Sequence, residues 1–121
     1  QIYPAISLNT PLARDADTFE GDKRLDLACR TSGQGKAVCL CVTHIMKYEL
    51  TLAEYRAATR LYGQPANRTK IHNALRSEGF TLSEIRTAEQ MERAILEDGD
   101  FALRCADAKA YYKPQPKRRL R

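Results

Sequence analysis

Residues 25–46, Leu25-Asp-Leu-Ala-Cys-Arg-Thr-Ser-Gly-Gln-Gly-Lys-Ala-Val-Cys-Leu-Cys-Val-Thr-His-Ile-Met46, decide how the chain is read. Residues 25–30 alternate apolar and polar side chains, the period of a half-buried strand. Thr31-Ser32-Gly33-Gln34-Gly35 is turn chemistry, because its glycines accept positive φ. Residues 37–46 are almost continuously apolar, a length that suits a buried strand closing a hairpin or a buried helix. Val38, Cys39, Val42 and Thr43 favour the strand. The expectation is a β-hairpin near 25–43.

Downstream, the pattern turns helical. Thr51 with Glu54 forms a capping box, in which the threonine oxygen accepts a first-turn N–H and the glutamate reaches back. A helix is expected over 52–62, with Leu52, Tyr55, Ala58 and Tyr62 on its inner face and Gly63 and Pro65 as its stop. A second helix, beginning near Asn67 or Thr69 and ending at Glu78, has Ile71, Ala74 and Leu75 as its stripe and Gly79 as the left-handed residue after it. Residues 80–86 read as a short strand or connector. Thr87 with Gln90 then opens a third helix over 88–98, burying Ala88, Met91, Ala94 and Ile95. Alternating Phe101, Leu103 and Cys105 read as another strand.

The expected fold class is therefore α+β: an N-terminal arm (1–24) and β-hairpin, three central helices, one or two short strands, and a disordered basic tail. A single globular domain over 1–112 fits the length, with Pro4 and Pro11 keeping the arm extended and Ile2, Tyr3, Ile6 and Leu8 as its anchors. At 43% hydrophobic and 29% charged residues, the composition is that of a folded soluble domain and not of a disordered chain. No apolar run is long enough to span a membrane, and Gln1-Ile2-Tyr3-Pro4 opens no signal-peptide pattern. Cys29, Cys39, Cys41 and Cys105 allow two disulfides in three connectivities. In a chain long enough to hold its own core, the reading is reduced, buried thiols in a cytoplasmic protein.

The positive charge is concentrated at the C-terminus. Residues 1–100 hold 13 Lys/Arg against 14 Asp/Glu, whereas residues 101–121 hold seven Lys/Arg against Asp107 alone. Lys113, Lys117, Arg118, Arg119 and Arg121 alternate with Pro114 and Pro116 in an extended, solvated segment, so an anionic partner is expected, most simply nucleic acid. Tyr111 and Tyr112 precede it as stacking groups for exposed bases.

The stretch Asn67-Arg-Thr-Lys-Ile-His-Asn-Ala-Leu-Arg-Ser-Glu-Gly-Phe80 resembles the second helix of helix-turn-helix DNA-binding proteins, and with the helix before it the resemblance covers residues 51–80. The resemblance implies that Arg68, Thr69, Lys70, Asn73 and Arg76 face bases or phosphates, and that strands after the helix supply a wing. The turn, 63–67, is longer than the commonest pattern and carries Pro65.

With 39–47 read as a helix, the element order also resembles the nucleophile-bearing half of papain-like cysteine peptidases. That resemblance implies Cys39 as nucleophile, with a His on a later strand to activate it. Residues 101–121 contain no His, which leaves His44, five residues past Cys39, as the alternative partner, or a non-catalytic relative. Cys29, Cys39, Cys41 and His44 suit tetrahedral zinc by ligand type but not by spacing, so no metal and no cofactor are expected.

The function expected from the sequence is a small, non-enzymatic, cytoplasmic DNA-binding regulator. The alternatives are the cysteine hydrolase with Cys39 and His44, and an inhibitor or adaptor that binds a protein target.

Overall fold

The computed structural model describes residues 11–97 and Cys105. The described residues contain five α-helices, α1 (Phe19–Thr31), α2 (Lys36–Glu49), α3 (Leu52–Leu61), α4 (Arg68–Ser77) and α5 (Leu82–Glu97), and no strand. The expected α+β fold with its β-hairpin is thus overturned by a helical architecture. Short 3-10 turns, Ala13–Asp15 and Pro65–Asn67, precede α1 and α4.

Where the hairpin was expected stand α1 and α2. In a strand Leu25 and Leu27 would share a face; here Leu25 is 0% exposed and Leu27 68% exposed. The residue that joins Leu25 in the core is Cys29, four positions on, so the spacing is helical. Along α2 the buried set is Cys39, Cys41, Val42, Ile45 and Met46, with Leu40 and His44 outside, again a 3.6-residue period. The β-branched Thr43 is accommodated because its hydroxyl donates to the Cys39 carbonyl one turn back (2.9 Å). Between the two helices the chain turns through Gly33 at φ 104, a region that side chains other than glycine rarely enter.

Two disulfides lock this arrangement. Cys29–Cys39 staples α1 to α2, and Cys41–Cys105 ties α2 to the buried Cys105, beyond α5 in the chain. The expectation of reduced thiols is corrected: all four cysteines are paired.

Helix α3 forms as expected, with both halves of the Thr51/Glu54 box in place (3.2 and 2.9 Å). It is the central element, packing against α1, α2, α4 and α5, and it buries Tyr55, Ala57, Ala58, Thr59 and Leu61 around more than one face. Residues 11–13 lie antiparallel to 50–52, where Ala13 N–H donates to Leu50 O (3.2 Å) and Leu52 N–H to Pro11 O (2.7 Å). The expected arm thus reaches only to Thr18, since 19–24 already belong to α1.

Helix α4 and the positive φ of Gly79 (103°) match the sequence reading. Helix α5 begins earlier than expected. Its capping box is Thr81/Glu84, with bonds of 2.9 and 3.1 Å, and the segment read as a strand or connector (80–86) is mostly its first turns. Ile85 and Ala88 are fully buried, and Met91 and Ile95 pack against the core on the same stripe. No wing is formed by 80–86. The strand expected at 101–106, apart from Cys105, and the tail at 113–121 lie outside the described residues.

Candidate functional site

The helix proposed to contact nucleic acid is divided by its own packing. Arg68 stands at the start of α4, pointing at acidic groups of α5. Its guanidinium donates to Glu92 (2.8 Å) and to the Leu61 carbonyl at the end of α3 (3.0 Å), and pairs with Glu89 (3.5 Å). Glu92 is 8% exposed and also accepts the Gly63 N–H (2.9 Å). Arg68 therefore fastens α3, α4 and α5 together and is not a solvent-facing base reader. Thr69, Lys70, Asn73 and Arg76 are exposed, and neither Lys70 nor Arg76 has an ion pair among the described residues. His72, expected on the outer face, is half-buried, with Nε2 enclosed and without a hydrogen-bond partner among the described residues.

The cysteine readings fail on covalent grounds. Cys39 is bonded to Cys29, so it holds no thiolate for nucleophilic attack. His44 is exposed on α2, while Cys39 is fully buried. With Cys29, Cys41 and Cys105 also in disulfides, the zinc set loses its thiolates. Among the described residues no group of three His, Cys, Asp or Glu side chains is placed to hold a metal.

A polar knot joins the first three helices. Asp22 of α1 accepts hydrogen bonds from Tyr55 Oη (2.6 Å), Thr18 Oγ1 (2.9 Å) and Lys47 Nζ (3.0 Å). Burial, then the Asp22 hydrogen bond and charge, hold the Tyr55 phenol far above its ordinary range. Burial and the nearby Glu92 charge raise Tyr62 as well. A phenol whose folded pKa is raised contributes stability that is complete below the unfolded value, about 10. That contribution is lost as pH rises further, because folding then forces a proton back onto the ring. Urea unfolding is therefore expected to show stability falling with pH above about 10, and Tyr55→Phe is expected to reduce that slope.

A trough runs along α3. Its middle, about 610 Å3, is lined by Phe19 and Arg24 of α1, Arg56 and Arg60 of α3, and Phe80. One end continues past Leu52, Ala53 and Gly79 (about 320 Å3). The other continues past Leu27 of α1, Gly63 and Ile71 of α4 (about 420 Å3). Close approach of α1 to this floor depends on Gly21, where a Cβ would stand 3.2 Å from Thr59 Cγ2. Sequence reasoning missed this trough. Its one visible signal was Phe19 and Leu27 on α1, which are misplaced if 19–24 are read as arm and 25–30 as strand.

No protein-family model, curated protein or solved structure matches the chain.

Proposed function

We propose that the protein binds nucleic acid through its phosphates, without catalysis or cofactor. The observation that carries the reading is the outward face of α4, where Lys70 and Arg76 are exposed and have no carboxylate partner among the described residues. The five cations of 113–121 would add sequence-independent attraction. With Arg68 engaged by Glu92, one of the two guanidinium groups of α4 is withdrawn from guanine contact, which favours backbone capture over base reading.

The two disulfides favour an oxidising compartment over the cytoplasm expected from free thiols. This moves the proposal from transcriptional control towards capture of nucleic acid outside the reducing cytosol. Among the described residues no helix is long and apolar enough to cross a membrane.

Anisotropy of a labelled random duplex tests the proposal. Five phosphate contacts would weaken affinity roughly 500-fold between about 50 and about 200 mM salt. Deleting 113–121 should remove most of that dependence, and Lys70→Ala and Arg76→Ala should each lower the salt slope by about one. Absence of binding at low salt, or affinity indifferent to salt, overturns the reading.

A further inference from the structure

We propose that Asn67 is the acceptor of an N-linked oligosaccharide. The proposal shares with the nucleic-acid reading only the oxidising compartment that the two disulfides favour, and it uses none of the cations that reading needs.

The sequence supplies the acceptor signal. The chain holds three asparagines, Asn9, Asn67 and Asn73. Asn67-Arg68-Thr69 has a hydroxyl side chain two positions after the asparagine and a residue other than proline between them, the pattern that is glycosylated in secreted chains. Asn9 is followed two positions on by Pro11, and Asn73 by Leu75, so neither carries it. A three-residue pattern also recurs by chance, so the weight falls on where the fold puts it.

Asn67 closes the 3-10 turn Pro65–Asn67, between α3 and α4. Residues 63–67 are all exposed, and so are Thr69 and Lys70. A bulky, hydrated oligosaccharide is accommodated at such a surface turn. Arg68, between the two signal residues, is held inward by Glu89 and Glu92. The turn is therefore anchored while the asparagine and the threonine stay at the surface.

The Asn67 amide is not committed to the fold. An asparagine at this position ordinarily caps the helix that follows, yet the Asn67 side chain makes no cap bond to α4. Its Nδ2 donates to Gln64 Oε1 at 3.4 Å on an exposed surface, beyond ordinary hydrogen-bond length. Attachment at Nδ2 thus breaks no strong contact among the described residues. Timing fits as well. Asn67 lies between Cys41 and Cys105 in the chain, so it emerges before the bond that encloses it can close.

The donor class is an oligosaccharide carried on a polyprenyl diphosphate. Nδ2 forms a bond to the anomeric carbon of the first sugar and gives up one proton. The bond from that carbon to the diphosphate oxygen breaks, and the lipid diphosphate leaves with the electron pair. No oxidant or reductant takes part.

Peptide mapping by mass spectrometry, on the oxidised protein from the cells that make it, tests the proposal. The fragment containing Asn67 is expected to carry added hexose and N-acetylhexosamine mass. Peptide N-glycosidase should remove that mass and leave aspartate at position 67. Thr69→Ala should abolish the modification although Asn67 is untouched, and Thr69→Ser should keep it. Thr69 is exposed, so circular dichroism of both variants should be unchanged. A bare Asn67 fragment from a chain whose disulfides are formed overturns the proposal. So does carbohydrate at another residue with Asn67 unmodified, or a Thr69→Ala variant that is still modified. Duplex binding is measured separately on the enzymatically stripped protein, so either reading can fail while the other stands.

Discussion

Replacing Cys41 and Cys105 together by alanine should destabilise the protein by roughly 4 kcal/mol in urea unfolding, more than loss of the other disulfide. The link spans a sequence separation of 64, so in the reduced chain the unfolded state regains the entropy of a long open loop. The Cys29–Cys39 link closes a separation of 10, for which the same relation gives about 3 kcal/mol. Both pairs are buried, so alanine removes the cross-link without exposing a thiol to the core. An equal or larger loss from Cys29→Ala with Cys39→Ala would show that loop length is not what sets the difference.

What the sequence reveals about this fold depends on whether local chemistry or long-range packing decides each element. Helices α3 and α4 are legible because their signals are local. Thr51 and Glu54 cap within one turn, Gly79 takes the positive φ after α4, and Leu75 is buried on the predicted stripe. Helices α1 and α2 are not, because Leu25-Asp-Leu is compatible with either period until something covers Leu25 and leaves Leu27 outside. The β-branched residues of α2 pull a local reading towards strand, and the choice is made by burial against α1 and α3 and by the Cys29–Cys39 link. In α5 two boxes compete. Thr87/Gln90 has the right spacing, but a start at Leu82 lets Ile85 enter the core, and the helix takes the longer apolar stripe.

The candidate site follows the same division. Exposure of Thr69, Lys70, Asn73 and Arg76 follows from the α4 stripe, which the sequence contains. The fate of Arg68 does not, since its partners lie 21 and 24 positions away on a helix whose start was misread. The trough is further from view still: it needs α1 to be a helix and to lie beside α3. Nor could spacing alone tell paired cysteines from free ones, because the pairing of Cys41 with Cys105 is a property of the packed chain.

Arg68→Ala should cost about 3 kcal/mol of stability, although the residue sits at a helix start among exposed cations. The loss comes from what is left behind. Glu92, with a side chain only 10% exposed, would keep its charge without the guanidinium at 2.8 Å, and the Leu61 carbonyl would lose a donor at 3.0 Å. Lys70→Ala and Arg76→Ala, which break no ion pair among the described residues, should stay within about 0.5 kcal/mol. Glu92→Gln should fall between these limits, because the amide oxygen still accepts the Gly63 N–H while the charge attraction to Arg68 is lost. Duplex binding should rank the residues in the opposite order. Measured under conditions where every variant is folded, Arg68→Ala should leave affinity nearly unchanged, whereas Lys70→Ala and Arg76→Ala should weaken it and flatten its salt dependence. An Arg68 variant that stayed fully stable but lost duplex affinity would mean that the guanidinium leaves Glu92 for a phosphate. The joint between α3, α4 and α5 would then be broken by binding, and α4 could no longer be treated as a rigid platform.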